Sequence, residues 1–289
     1  MTMIRSISAQ ALDIELHTPF GIAGGAQAIA RNVLVTLELD DGTHGYGEAA
    51  PFPVFNGETQ DMALSAVAAA RSIVEGADVR EWRRLALALR SAIGPVGSAQ
   101  CAIETAILDA LTRQAHIPLW AFFGGVSTSL ETDMTVTTGT AEQARMDARE
   151  ILARGISMIK IKIGSGDIEL DLARVAAINQ EAPHSPLILD GNCGYTADGA
   201  LRLLALLHEQ GIKPALLEQP LAKDDLEGMA QLVQWGAVPI AADESAARAC
   251  DVVRLARARA AHVVNIKLMK CGIAEALDIA AAALSLIHI

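Results

Sequence analysis

The feature that most constrains the fold is a regular alternation of short apolar segments and helical segments that begins near residue 130. The apolar segments, which we interpret as strands, are DMTVTT, MIKIKI, PLILD, PALLEQP, VPIAAD and HVVNIKL. The helical spacing of apolar residues predicts helices at about 141–154, 168–181, 197–210, 224–235, 246–259 and 273–284. Repeated βα units of this length predict a parallel sheet with its helices outside.

The spacing of these units favours a barrel. The predicted strands end at intervals of 24 to 28 residues, close to the roughly 31 residues that each unit of a (β/α)8 barrel uses. Six units are visible, so the barrel is incomplete. The competing architecture is a doubly wound open sheet, but the first strand is not followed by the G-x-G-x-x-G motif of that class.

The residues before this alternation predict a different kind of structure. The segments IRSISAQALDIEL and NVLVTLELDDGTHGYGEA alternate as strands do, and DDG marks a hairpin turn. Between them, the Gly-rich HTPFGIAGGAQAIAR predicts a mobile loop. Helices are predicted at about 59–76, 80–92 and 97–115. We therefore predict an α+β domain over residues 1–125 and a partial barrel domain over residues 126–289.

Three successive barrel strands end in an acidic residue: Asp190, Glu218 and Asp243. The carboxyl ends of parallel barrel strands meet at one face, where active sites form. Three convergent carboxylates repel one another unless a cation lies between them, and oxygen ligands favour Mg²⁺ or Mn²⁺. The alternative is that each residue is a helix N-cap, a role that suits Asp and suits Glu poorly.

Lysines end the strands on either side of these acidic residues. Lys160 and Lys162 share one strand face because side chains alternate along a strand, and Lys267 ends the strand after Asp243. A solvated strand face is the alternative for a K-x-K pair. Inside a barrel, a desolvated lysine near a cation has a lowered pKa and acts as a base. Mg²⁺ would hold a substrate carboxylate and stabilise the enediolate that forms when the α-proton leaves. Two lysines on opposite sides of the cavity would allow one to remove the α-proton and the other to return it, which inverts the configuration of the α-carbon.

Composition excludes several other classes of function. The net charge of -11 argues against binding to nucleic acid or to an anionic membrane surface. The four cysteines form no C-x-x-C pair, which favours free thiols over a zinc or redox site. The N-terminus shows no signal peptide, and no apolar run has the length and flanks of a membrane span. We therefore expect a cytoplasmic protein with a small-molecule substrate.

Motifs along nearly the whole chain resemble one family. They are GYGEAAPFPVFNGETQ, AIETAILDAL, PLWAFFGG, IKIKIG, LDGN, LLEQPLAKDDLEGM, ADES and NIKLMKCGI. In order and spacing they resemble the muconate-lactonizing subgroup of the enolase superfamily, and most closely the dipeptide epimerases. The resemblance implies a capping domain on a (β/α)7β barrel, here with about six βα units, and a homo-oligomer.

The resemblance also implies roles for individual residues. Lys162 and Lys267 would be the acid/base pair, with Lys160 supporting Lys162. The three acidic residues at the strand ends would bind Mg²⁺. Asn192 would assist the metal site, and Thr135 would line the substrate pocket.

Substrate preference is predicted from the segment at residues 19–31, which closes over the substrate in this family. In Ala-Glu epimerases the segment carries an arginine for the distal carboxylate, whereas the equivalent position here is about Gly25. An unpaired carboxylate in a closed site is costly, so we expect a hydrophobic or cationic dipeptide, with Phe52 and Phe55 also contributing to the pocket. The alternatives are a muconate cycloisomerase, an o-succinylbenzoate synthase or an N-acylamino acid racemase, and, from another class, a non-catalytic fragment.

The C-terminus carries two further expectations. A family barrel has a seventh βα unit and an eighth strand, so we expect this chain to be truncated, poorly folded by itself and inactive. The last six residues, LSLIHI, are also the translation of a transposase end sequence used in DNA library preparation. We interpret residues 284–289 as adapter-derived.

Overall fold

The computed structural model describes residues 2–22, 25–125, 127 and 129–286. The chain divides into two compact units. The N-terminal unit consists of Met1–Pro19, Gln27–Ser129 and Lys267–Asp278. The sheet unit consists of Phe20–Ala26, Leu130–Ile266 and Ile279–Ile289. The predicted domain boundary near residue 125 stays a prediction.

The N-terminal part begins with a three-stranded sheet. Its strands are β1 (Ile4–Ile22), β2 (Gly25–Leu39) and β3 (His44–Ala49), in the order β1-β2-β3. β2 and β3 are antiparallel and joined by a turn at Asp40–Gly42, where Gly42 has a φ of 84°. This is the hairpin that the DDG sequence predicts. The predicted loop is wrong for residues 17–22 and 25–31, which lie in β1 and β2. β1 and β2 are hydrogen-bonded neighbours in the sheet, and such pairing satisfies backbone N–H and C=O groups.

Helices follow this sheet. They are α1 (Pro53–Asn56), α2 (Gln60–Val74), a 3₁₀ turn (Val79–Glu81), α3 (Trp82–Ala92), α4 (Gly97–Gln114) and α5 (Leu119–Phe122). The three long helices agree with the predicted ranges to within about two residues. The buried carboxylate of Glu58 accepts hydrogen bonds from Gly97 N (2.8 Å) and Ser98 N (3.0 Å). It therefore satisfies two of the N–H groups that lack an intrahelical partner at the start of α4. Its negative charge also interacts favourably with the dipole of this helix.

Strand β3 and helix α4 approach each other at backbone distance. A Cβ atom added at Gly47 would lie 1.9 Å from the carbonyl oxygen of Ala102, and one added at Gly45 would lie 2.1 Å from that of Ala106. Both alanines are fully buried. Two of the sequence motifs, GYGEA and AIETAILDAL, are therefore the two sides of one close contact.

The sheet unit contains six parallel strands whose spatial order is their chain order. The strands are β4 (Asp133–Val136), β5 (Met158–Lys162), β6 (Leu187–Asp190), β7 (Leu216–Glu218), β8 (Ile240–Ala242) and β9 (Val263–Val264). A doubly wound sheet would reverse its strand order at a switch point, so this order supports the predicted barrel. The described residues form an N-terminal α+β domain followed by a barrel-like α/β domain with six parallel strands.

A helix follows each strand. These helices are α6 (Ala141–Ala153), α7 (Ile168–Glu181), α8 (Ala197–Glu209), α9 (Leu226–Trp235), α10 (Ala249–Ala258) and α11 (Leu268–Leu286). α11 is interrupted at Gly272, whose φ of 80° is not helical. Residues 284–286 continue α11 and residues 287–289 lie outside the described residues, so the adapter interpretation stays a prediction. None of the described helices is long and apolar enough to cross a membrane.

The apolar core of the sheet unit lies between the sheet and its helices. Ile159, Ile161 and Ile163 are fully buried and belong to one hydrophobic cluster with Val175 and Ile178 of α7. Because alternate residues face opposite sides of a strand, Lys160 and Lys162 face away from these helices.

Candidate active site

The strand register brings the predicted charged residues into adjacent rows at the carboxyl edge of the sheet. Lys162 pairs with Asp190, and Asp190 pairs with Glu218. One step earlier along the strands, Thr135 pairs with Lys160. Four neighbouring strands therefore contribute polar side chains to one edge, as the barrel interpretation requires.

Lys160 bridges two of the acidic residues. Its Nζ lies 2.9 Å from Asp190 Oδ2 and 2.7 Å from Glu218 Oε2, and its side chain is 13% exposed. Burial acts to lower the pKa of Lys160, but the two carboxylates outweigh burial and raise that pKa. A solvated strand face is therefore not the environment of this lysine.

The two acidic partners respond differently to the same surroundings. Burial opposes ionisation of Asp190, but the ammonium groups of Lys162 and Lys160 overcome it and hold the pKa of Asp190 below its usual range. Burial and the negative charge of Asp190 raise the pKa of Glu218, and Lys160 only partly offsets them. The surroundings therefore favour the ionised form of Asp190 and disfavour that of Glu218.

Lys162 is the more deeply buried lysine, with 5% exposure. Its Nζ donates to Asp190 Oδ2 and to Asn192 Oδ1, both at 2.7 Å. Asn192 has a φ of 40°, in the left-handed region, and its Nδ2 donates to Glu244 Oε1 at 3.2 Å. Strained backbone of this kind is common at functional sites. Asn192, predicted from the resemblance alone, thus contacts Lys162 directly.

Asp243 is fully buried just beyond the end of β8. The loop that carries it is held by Gln219, whose Oε1 accepts from Asp243 N (2.9 Å) and Ser245 N (3.1 Å). Gln219 Nε2 donates to Ser245 Oγ at 2.8 Å. Gln219 therefore ties the end of β7 to the segment after β8.

Sequence reasoning missed three residues of this cluster. Gln219 and Glu244 each directly follow a predicted acidic residue, and Asn265 Nδ2 donates to Glu218 Oε1 at 2.8 Å. Asn265 carried a usable signal, because it is a polar residue within the apolar segment HVVNIKL. Nothing in the pattern around Gln219 or Glu244 separates a loop-holding side chain from an ordinary loop residue.

The donor set at this edge fits a hard divalent cation. Asp190, Glu218 and Asp243 supply carboxylate oxygens only, which suits Mg²⁺ or Mn²⁺. Uncompensated charge is costly in a buried site, and Asp243 adds to the repulsion that Glu218 experiences. Among the described residues, no three acidic, His or Cys side chains already form a metal-holding group. Instead, the cationic Nζ of Lys160 lies between two of the carboxylates.

Three of the predicted site residues belong to the N-terminal unit. Lys267 lies between β9 and α11, and its Nζ is 4.4 Å from the centroid of the Phe55 ring, a cation–π contact. Phe55 lies in α1, and Phe52 is the residue that precedes this helix. Gly25 is the first residue of β2. The roles of these four residues stay predictions.

An α+β domain followed by a barrel-type sheet, with paired lysines and then acidic residues at successive strand ends, is the arrangement that the resemblance to the enolase superfamily implies. Comparison with protein families agrees with this class. Residues 5–124 match the family described as mandelate racemase / muconate lactonizing enzyme, N-terminal domain, and residues 143–286 match the enolase C-terminal domain-like family. The chain belongs to the mandelate racemase/muconate lactonizing enzyme family.

Three similar proteins illustrate the relationship. The aromatic dipeptide epimerase of Herpetosiphon aurantiacus is 52% identical over 98% of this chain and 79% of the relative. The L-Ala-D/L-Glu epimerase of Thermotoga maritima is 35% identical over 96% of this chain and 80% of the relative. The crystal structure of a dipeptide epimerase from Enterococcus faecalis, complexed with Mg and L-Leu-L-Tyr, is similar to this chain with a TM-score of 0.94 and 31% identity. The match covers 99% of this chain and 80% of that chain. We therefore place this chain among the racemases and epimerases, a class of isomerases.

Proposed function

We propose that this protein is a Mg²⁺-dependent dipeptide epimerase that inverts the carbon α to the substrate carboxylate. The observation that carries the proposal is the position of Lys162, whose buried Nζ lies 2.7 Å from both Asp190 and Asn192 at the carboxyl edge of the sheet. The epimerase names of the relatives support the same reaction.

Lys162 is the base that we assign to one epimer. Abstraction of the α-proton converts a neutral lysine amine into an ammonium group. The two oxygen acceptors around Nζ are suited to that ammonium, so they stabilise the form that exists after the proton has moved. Lys160 stays cationic between Asp190 and Glu218, which keeps Lys162 next to a positive neighbour.

Asp190, Glu218 and Asp243 are the residues that would hold the metal. When bound, Mg²⁺ would lower the free energy of the negative charge that develops on the substrate carboxylate. Lys267 is the residue that we assign to the other face of the carbon. Return of a proton from the opposite lysine would give the inverted epimer.

We further propose an aromatic or hydrophobic dipeptide substrate in preference to Ala-Glu. Residues 19–31 contain one arginine, Arg31, and its NH1 is 3.4 Å from Asp13 Oδ2. Arg31 therefore already faces a carboxylate of this chain. The relative at 52% identity is an aromatic dipeptide epimerase, which supports the same preference.

Exchange of the α-proton with solvent deuterium tests the proposal. The protein is incubated in D₂O with Mg²⁺ and either L-Ala-L-Phe or L-Ala-L-Glu. NMR follows the loss of the α-proton and the appearance of the second epimer. We expect faster exchange and epimerisation with L-Ala-L-Phe than with L-Ala-L-Glu.

Variants separate catalysis from binding. We expect Lys162→Ala to abolish exchange from one epimer and Lys267→Ala to abolish it from the other. Lys213→Ala, which removes an exposed lysine before β7, is the matched control and should leave both rates unchanged. Absence of exchange with every dipeptide, or an unimpaired Lys162→Ala variant, would contradict the proposed function. Turnover of a cyclic acid instead would favour a muconate cycloisomerase.

A further inference from the structure

A buried polar group on α7 is not used by the mechanism above. Arg174 is 1% exposed, and its NH1 donates to the backbone carbonyl of Lys162 at 2.6 Å. Its NH2 donates to the carbonyl of Thr137, just after β4. One guanidinium group thus holds the carboxyl ends of two adjacent strands, including the strand that carries the proposed base.

Asp171, one turn earlier on α7, extends this arrangement to the next loops. Its carboxylate is fully buried and lies 3.4 Å from Arg174 NH1. It accepts from Gly164 N at 2.8 Å, in the loop after β5. It also accepts from the hydroxyl of Tyr195, in the segment after β6. Arg174 and Asp171 together contact backbone or side chains at the ends of β4, β5 and β6.

This pair is an expensive way to stabilise a core. Burial lowers the pKa of Arg174, and Asp171 only partly compensates. Among the described residues, Arg174 Nε has no hydrogen-bond partner. Replacing a buried ion pair with apolar residues of similar volume is often neutral or stabilising. A role in fixing geometry accounts for the pair better than a role in stability.

We propose that Asp171 and Arg174 act as a buried clamp that positions Lys162 for proton transfer, an inference that rests on the proposed function. Misplacement of a reacting group by about 1 Å costs about 100-fold in rate. Lys162 is the last residue of β5. The two bonds from Arg174 fix this end against β4.

The test compares the two epimers within one sample. Lys162→Ala first identifies the epimer that Lys162 serves. We then expect Arg174→Lys, whose ammonium lacks the planar fork needed to reach both carbonyls, to slow deuterium exchange of that epimer at least tenfold relative to the other. An unfolded fraction lowers both rates equally and leaves their ratio unchanged. Arg149→Lys, which changes an exposed arginine paired with Glu181, is the matched control.

Each outcome decides one point. If Arg174→Lys leaves the ratio of the two epimers' exchange rates unchanged, the clamp is overturned. If Arg174→Lys gives no folded protein, Tyr195→Phe takes its place, because it removes one donor to Asp171. Loss of one hydrogen bond should then shift the same ratio by about threefold, and an unshifted ratio would overturn the clamp. If Lys162→Ala impairs neither epimer, the proposed function itself has failed.

Discussion

Substitution of Gly47 by alanine tests the close contact between β3 and α4. The new Cβ would lie 1.9 Å from the carbonyl oxygen and 2.8 Å from the carbonyl carbon of Ala102. Real Cβ contacts essentially never fall below 3.0 Å, so strand and helix must separate by about 1 Å. No flexible side chain can move aside, because the obstructing atoms are backbone.

The cost follows from that separation. Overpacking a core costs about 1–3 kcal/mol when side chains can adjust, and a radial gap of 0.5–1 Å forfeits about a quarter to a half of each dispersion contact. We therefore expect Gly47→Ala to lower the free energy of unfolding by about 3 kcal/mol or more. In chains of about 150–250 residues, each kcal/mol of lost stability lowers Tm by about 2–4 °C. We therefore expect Tm to fall by about 6–12 °C.

Thermal and urea unfolding followed by circular dichroism measure this loss. Gly42→Ala is the matched control, because Gly42 has a φ of 84° but no atom within 4 Å of the added Cβ. Its cost is backbone strain alone, about 1 kcal/mol. If Gly47→Ala loses no more stability than Gly42→Ala, the backbone contact between β3 and α4 is wrong.

Two other predictions concern buried carboxylates. Burial raises the pKa of Glu104 above its ordinary 4.5, so the folded protein binds more protons than the unfolded one just above pH 4.5, and stability falls as pH rises through this window. Urea titrations should show Glu104→Gln gaining stability relative to the parent from pH 4.5 upward, and a pH-independent difference would contradict this. Mg²⁺ at 100 times its Kd should stabilise the protein by about 2.7 kcal/mol, with reversal by EDTA. The control variant Asp198→Asn should keep the Mg²⁺-induced rise in Tm, and Asp190→Asn should lose it. If Asp190→Asn also keeps that rise, the assignment of Asp190 as a metal ligand is wrong.

Much of the sheet could be predicted from the sequence because each strand carries its own signal. A short apolar segment that ends in a charged residue identifies both the strand and the edge where Asp190 or Glu218 lies. Alternation along MIKIKI correctly places Lys160 and Lys162 on the face opposite the buried isoleucines. These are local patterns, and local patterns survive in a single sequence.

The parts that could not be predicted depend on contacts between distant segments. Arg174 lies in LARVAAINQ, where an arginine on a helix ordinarily faces solvent. Its burial depends on carbonyl groups of β4 and β5, whose positions the helix pattern does not encode. The extended conformation of residues 17–22 and 25–31 likewise depends on pairing between β1 and β2, which overrides the low strand propensity of glycine.

The composition of the N-terminal unit has a consequence for the order of folding. This unit includes Lys267–Asp278, and Ala274 N donates to the buried Glu104 at 2.8 Å. During synthesis, about 137 residues separate Ser129 from Lys267, or roughly 7–27 s at 5–20 residues per second. The Glu104 carboxylate of the nascent domain therefore lacks this donor while five βα units and strand β9 emerge. Completion of the first domain to be translated is thus among the last steps of folding.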